Sequence, residues 1–165
     1  MIYTEIGVID VYEQSLDDAR ERLSLLGVAE GRTPTSRLIS GWVFEQTVRF
    51  CLTQELSAVN IRPLVQEQVK LCGRAKIDLL VGNVAIELKA LGSFGKRGFD
   101  KYEMYRLAVE SHGWVYLYLT KQERHAPFRQ SAIDAFGSNG AFFLNIDGDW
   151  KRFADAVIKY LSESN

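Results

Sequence analysis

The residues of this chain that could do chemistry gather in one stretch, Arg74–Lys89 (RAKIDLLVGNVAIELK). Two β-prone runs, Ile77–Val81 and Val84–Leu88, flank the dipeptide Gly82-Asn83. Gly-Asn between such runs predicts a two-residue hairpin turn. That turn sets the register. Val81 faces Val84, Leu80 faces Ala85, Leu79 faces Ile86, Asp78 faces Glu87 and Lys76 faces Lys89. Side chains alternate along a strand, so Ile77, Leu79, Ile86 and Leu88 are expected to point into a core. Lys76, Asp78, Glu87 and Lys89 then share the other face. Opposed residues have Cβ atoms about 4.5–5.5 Å apart, and like charges so placed are destabilising. A divalent cation between the two carboxylates removes that conflict. Mg²⁺ takes oxygen ligands, typically one or two carboxylates with water and substrate phosphate. Lys89 adds a positive charge, or a water-orienting amine, beside such an ion.

Asp78, a short spacer and Glu87-Leu88-Lys89 resemble the signature of the PD-(D/E)XK nucleases, which have the restriction-endonuclease-like fold. Ile77 stands where the motif has its proline. Upstream, Gly41-x-x-Phe44-Glu45-x-x-Val48 resembles the first helix of the Mrr-type and archaeal Holliday-junction-resolvase branches. The resemblance implies a metal-dependent DNA endonuclease, restriction-like or junction-resolving. Asp78 and Glu87 would bind Mg²⁺ or Mn²⁺, with Glu45 as a direct or water-mediated ligand and the Leu88 carbonyl completing the shell. Lys89 would orient the attacking water, and the products would carry 5′-phosphate and 3′-hydroxyl ends. Lys101 and Tyr105 are similar in spacing to the Gln-x-x-x-Tyr motif of the helicase-associated exonuclease branch. Lysine replaces glutamine there, which counts against an exonuclease. The residues alone leave Glu45 a second role, an edge glutamate paired with Arg49 at i, i+4.

These residues need elements to position them. Residues 2–12 are β-prone and are expected to form a strand or extended arm. Ser15 and Asp18 resemble a capping box, opening a helix that Gly27 ends near Leu26. After a loop over 27–35, Thr35 or Ser36 is expected to cap a helix reaching Leu56. Its apolar surface would be Leu38, Ile39, Trp42, Val43, Thr47, Phe50 and Cys51. A strand follows from near Leu64, since Pro63 restricts its start. Gln66, Gln68 and Lys70 share one face of it; either glutamine could face the site or simply solvent. After Lys89, three glycines with Lys96 and Arg97 read as a flexible basic loop able to meet phosphates. Asp100 is expected to cap a helix ending at Gly113. Residues 114–120 read as a buried strand whose Tyr116 and Tyr118 pack on helices. Then come a helix from Pro127 to about Phe136, a strand over 141–146, and a closing helix with Trp150, Phe153, Val157 and Leu161 inward.

This order predicts an α/β fold: a three-strand meander, later strands joined through helical crossovers, and a mixed central sheet flanked by helices. By resemblance, residues 36–120 form a restriction-endonuclease-like αβββαβ core. Residues 1–35 are then an accessory strand or arm with a helix, and 121–165 an added helix–strand–helix, within one domain spanning 1–165.

The chain has 165 residues, 47% hydrophobic and 25% charged, values that suit one globular domain. A net charge of −1 excludes a polycation, so any nucleic-acid surface must be local. Residues 70–106 hold eight bases against four acids, and the first 45 hold the reverse. Lys70, Lys76, Lys96, Arg97 and Lys101 are the phosphate-contact candidates; Lys76 has a second role, neutralising the carboxylate pair when no metal is bound. Cys51 and Cys72 read as buried reduced thiols of a cytoplasmic protein. No apolar run is long enough for a membrane span. So short a chain leaves little room for a separate DNA-reading domain, which suits a structure-specific nuclease, a dimeric junction resolvase, a small restriction enzyme or one subunit of a larger complex; a homodimer is expected for any two-strand cut. Trp42, the N-terminal helix or the last helix could supply that interface. Two other classes stay open: a non-catalytic nuclease-like binding or assembly module, and an α/β domain whose acidic pair is a surface charge network.

Overall fold

The computed structural model describes residues 1–30, 36–94 and 96–163, with side chains undescribed at 23–30, 36–38 and 96. Five strands form one mixed sheet in the order β1-β2-β3-β4-β5, and five helices cover its faces. The strands are β1 (Val65–Cys72), β2 (Ala75–Val81), β3 (Val84–Lys89), β4 (Val115–Thr120) and β5 (Ala141–Phe143). The helices are α1 (Glu5–Glu30), α2 (Ser36–Ala58), α3 (Lys96–Ser111), α4 (Ala126–Phe136) and α5 (Asp149–Glu163). The first three strands are an antiparallel meander, and β4 and β5 add in parallel after helical crossovers. This is the mixed, helix-flanked sheet the element order predicts.

The hairpin register is the expected one: Val81 pairs Val84, Leu80 pairs Ala85 and Leu79 pairs Ile86. Gly82 holds φ at 58°, the left-handed region that glycine enters without a Cβ penalty. A side chain there would also run into Leu161 Cδ2 at 2.6 Å, so α5 closes over the turn.

Both sheet faces are buried. On one, Leu79, Val81, Val84, Ile86 and Leu88 pack with α1, α2 and α5. On the other, Ile77, Leu80 and Ala85 pack with α3, α4 and the aromatics of β4 and β5. Ile77 thus lies opposite to its expected face. Across from this step, on β1, Gln68 has φ 51°. Glu67 and Gln68, adjacent in sequence, both reach helix α2: Glu67 accepts from Gln46 and Arg49, and Gln68 donates to Glu45. A left-handed residue breaks strict alternation, and across from it on β2 the packing reverses between Ile77 and Leu79.

The N-terminal stretch is the largest departure. Residues 5–12 are the start of α1, not a strand or arm, and Ser15 and Asp18 lie inside that helix. Val8, Tyr12 and Leu16, at i, i+4 spacing, are buried on α2 and α5. Packing of that stripe outweighs the β-propensity of the Ile and Val residues between. Glu55 anchors the start. Its buried carboxylate accepts the N–H groups of Ile2 (2.8 Å) and Tyr3 (2.7 Å) and Trp150 Nε1 (3.3 Å). Glu5 Oε1 in turn accepts the Trp150 backbone N–H, capping α5.

On α2 the buried face is Val43, Phe44, Thr47, Val48, Cys51, Leu52, Glu55 and Leu56. Trp42 and Phe50, part of the expected apolar surface, are 57% and 51% exposed. Cys51 is buried and its thiol is pushed up to about 12 by that burial. Cys72 is exposed, against expectation. Helix α3 begins at Lys96, so Lys96 and Arg97 belong to its first turn rather than a loop, and Asp100 lies within it. The last strand stops at Phe143. The closing helix buries Trp150, Phe153, Val157 and Leu161 as expected, each large side chain contributing about 1.5–3 kcal/mol. Among the described residues no helix is long and apolar enough to cross a membrane.

Candidate active site

The ladder between β2 and β3 ends at Leu79–Ile86, and one step further a side chain takes over its work. Asp78 Oδ2 accepts the backbone N–H of Leu88 at 2.8 Å. That bond fixes the Asp78 carboxylate beside the end of β3, where Glu87 and Lys89 stand. Glu87 is 2% exposed. Its Oε1 takes the Lys89 ammonium at 2.6 Å, the Tyr102 hydroxyl at 3.1 Å and the Lys101 ammonium at 3.8 Å. Its Oε2 takes the Tyr116 hydroxyl at 3.3 Å. The same Lys89 ammonium lies 3.6 Å from Asp78 Oδ2 and donates to the Leu88 carbonyl at 3.1 Å.

Charge here is unevenly compensated. Burial lifts the Asp78 carboxyl above its usual range and the Glu87 carboxylate lifts it further, with Lys89 and the Leu88 N–H opposing. Lys89 lies closer to Glu87 than to Asp78, so its offset on Asp78 is incomplete. Burial alone would lower Lys89, but Glu87 and Asp78 outweigh that and hold it above the ordinary lysine value. It therefore stays an ammonium. Burial and the nearby Glu87 also keep the Tyr102 and Tyr116 hydroxyls protonated, as donors.

Helix α2 brings Glu45 toward this group. Its carboxyl is pushed up to about 7, first by burial and then by Asp78, while Gln68 and Lys89 pull it down. Glu45 Oε2 accepts from Gln68 Nε2 at 3.1 Å. Arg49, its possible helical partner, goes instead to Glu67 at 2.9 Å. Of the two candidate glutamines, Gln68 is the one that reaches the site.

The outer cations divide. Lys101 joins the site, its ammonium 4.9 Å from the ring centroids of both Tyr102 and Tyr105. Lys70 and Lys76 pair directly opposite each other on β1 and β2, both exposed. Like charges so placed repel, which an anionic partner would relieve. Lys89 and Lys101, rather than Lys76, make the ion pairs with the carboxylates. Arg97 is exposed in the first turn of α3, and the Lys96 side chain lies outside the described residues.

Tyr102 and Tyr116 are the site residues that sequence reasoning missed. A signal existed for Tyr116: β3 and β4 run parallel with Glu87 beside Tyr118, so Tyr116 and Tyr118 share the carboxylate's face. Tyr118 reaches forward to Glu123 at 2.5 Å, and Tyr116 reaches diagonally to Glu87.

The donor set suits a hard cation. Glu87 Oε1, the Leu88 carbonyl and Asp78 Oδ2 already converge on one positive group, the Lys89 ammonium. All three are oxygens, the chemistry Mg²⁺ and Mn²⁺ take. Among the described residues no three His, Cys, Asp or Glu side chains form a cluster able to hold a metal. An ion there would rest on two carboxylates, a carbonyl and water.

No protein-family model, curated protein or solved structure matches this chain.

Proposed function

We propose that this chain is a metal-dependent DNA endonuclease with a restriction-endonuclease-like core formed by α2, β1–β3, α3 and β4. The observation that carries the reading is the convergence of Glu87 Oε1, Leu88 O and Asp78 Oδ2 on the Lys89 ammonium at the end of a register-fixed hairpin. Asp78 and Glu87, with the Leu88 carbonyl, would hold Mg²⁺ or Mn²⁺. When bound, such an ion lowers the pKa of water and offsets charge on the phosphoryl oxygens.

The chain's own residues supply the rest. Lys89, kept protonated by its acidic neighbours, stabilises negative charge developing at the phosphate or orients the attacking water. Glu45 titrates near neutrality beside Asp78, a suitable place to accept a proton from water. Lys70, Lys76, Arg97 and Lys101 offer phosphate contacts in a region with more bases than acids. A groove of about 690 Å³ between α1 and α2, bordered by Trp42 and Phe50, suits self-association or a larger complex.

One observation favours a second reading, a non-catalytic binding or assembly module. Lys89, Tyr102 and Tyr116 already satisfy Glu87 without any ion.

The test is cleavage of supercoiled plasmid, linear duplex, single strand and a four-way junction, with Mg²⁺, Mn²⁺ or EDTA. Metal-dependent cutting by the wild type, absent in Asp78→Ala and Lys89→Ala proteins, supports the nuclease. No cutting on any substrate and no metal binding by calorimetry would sink it and favour the module.

A further inference from the structure

Two tyrosines hold Glu87 from its buried side. Tyr102 of α3 donates to Oε1 at 3.1 Å and Tyr116 of β4 donates to Oε2 at 3.3 Å. Both tyrosines are 7% exposed, and Glu87 is 2% exposed. Their rings pack with Phe136, which also stacks on Tyr118. In that apolar setting a hydroxyl that loses its acceptor is costly, so each tether resists release even where the bond is long.

The two oxygens of Glu87 consequently do different work. Oε1 meets Lys89 at 2.6 Å, on the side where Asp78 and the Leu88 carbonyl meet the same ammonium. Oε2 is turned to Tyr116. We propose that Tyr116 sets which divalent cation this site accepts: by engaging Oε2 it leaves Glu87 a one-oxygen ligand, favouring Mg²⁺ or Mn²⁺ over Ca²⁺. Mg²⁺ demands near-octahedral geometry with about six ligands at roughly 2.0–2.1 Å and is served by single carboxylate oxygens. Ca²⁺ takes about six to eight oxygens at longer range, often both oxygens of one carboxylate. Tyr102 is a positioning residue of another kind, since it steadies the oxygen that faces the cation. This inference rests on the metal-binding reading of Asp78 and Glu87.

The experiment is calorimetric titration of Mg²⁺, Mn²⁺ and Ca²⁺ into the wild type, Tyr116→Phe and Tyr102→Phe, with metal-free thermal unfolding as the control for folding. Tyr116→Phe releases Oε2, so its Ca²⁺ affinity relative to Mg²⁺ rises at least about tenfold, the lower end of the effect of one hydrogen bond to a charged group. Tyr102→Phe weakens all three ions together and leaves their ratio unchanged. An unchanged ratio in Tyr116→Phe overturns the proposal and leaves the metal reading standing. Wild-type protein that binds Ca²⁺ as tightly as Mg²⁺ also overturns it, without recourse to any variant. Wild-type protein that binds none of the ions removes the metal reading itself, and the proposal with it.

Discussion

Gln68 donates to Glu45 across 3.1 Å from a backbone held at φ 51°. A non-glycine residue in that region costs about 1–2 kcal/mol, yet here it turns an otherwise outward amide onto a carboxyl beside Asp78. The site thus draws on backbone strain in β1 as well as on the hairpin motif.

That strain is separable from the hydrogen bond. Gln68→Gly relieves the backbone and loses the amide, so its stability stays within about 1 kcal/mol of wild type. Gln68→Ala loses the same bond but keeps the strain, and so falls about 1 kcal/mol below Gln68→Gly. Urea unfolding of the two variants measures the difference. Both lift Glu45 further, because Gln68 normally pulls it down, so any nuclease pH profile moves to higher pH.

Glu45 also gives the metal-free protein a pH dependence. Its folded value, about 7, lies above its ordinary value of 4.5, so the fold prefers the protonated carboxyl. That contribution is complete below the ordinary value and is lost as pH rises through the folded one. Because Glu45 is only partly buried, the loss is about 1 kcal/mol after allowance for solvent screening. Denaturant midpoints measured from pH 5 to 8.5 should decline in wild type and stay flatter in Glu45→Gln. An equal decline in both would assign the effect elsewhere.

Lys89→Ala removes the closest cation from a carboxylate that is 2% exposed. With Lys101 and two tyrosine hydroxyls still present, the metal-free protein should lose about 2 kcal/mol. Millimolar Mg²⁺ should restore more stability to this variant than to wild type, read as a larger shift in thermal midpoint. An identical shift in both proteins would mean that ion and ammonium do not share these oxygens.

Glu55→Ala tests the scaffold apart from the site. It strips acceptors from the N–H groups of Ile2 and Tyr3 and from Trp150 Nε1, so stability should fall by about 3 kcal/mol. Trp150 fluorescence should change with it. Metal affinity should not, since Asp78, Glu87 and Lys89 lie on other elements.

Gly92 and Glu123 form a coupled pair. A Cβ on Gly92 would overlap the Glu123 carboxylate, which is anchored by Tyr118. Gly92→Ala should destabilise by about 1–3 kcal/mol, and far less in a Glu123→Ala background. Additive effects would show that the loop yields independently of that carboxylate.

How much of this was legible beforehand follows from where each feature gets its energy. The hairpin register, and with it the approach of Asp78, Glu87 and Lys89, was written in a local signal, Gly82-Asn83 between β-prone runs. The inward face of α5 was equally local, because Trp150, Phe153, Val157 and Leu161 repeat at helical spacing. The element order, and so the mixed sheet between helix layers, came from turn and periodicity signals of the same kind. Tertiary structure decided the rest. Residues 5–12 are helical because Val8, Tyr12 and Leu16 find α2 and α5 to bury against, and Glu55 holds the chain ahead of them. Ile77 packs on the α3–α4 face, across from the point where Gln68, a residue type with no special claim to positive φ, sits at φ 51° on β1. Tyr102 and Tyr116 reach Glu87 only because α3 and β4 are laid beside β3. Local sequence specified which charged groups meet at the end of the hairpin. Contacts between residues distant along the chain, whose partners no local pattern names, decided what surrounds them.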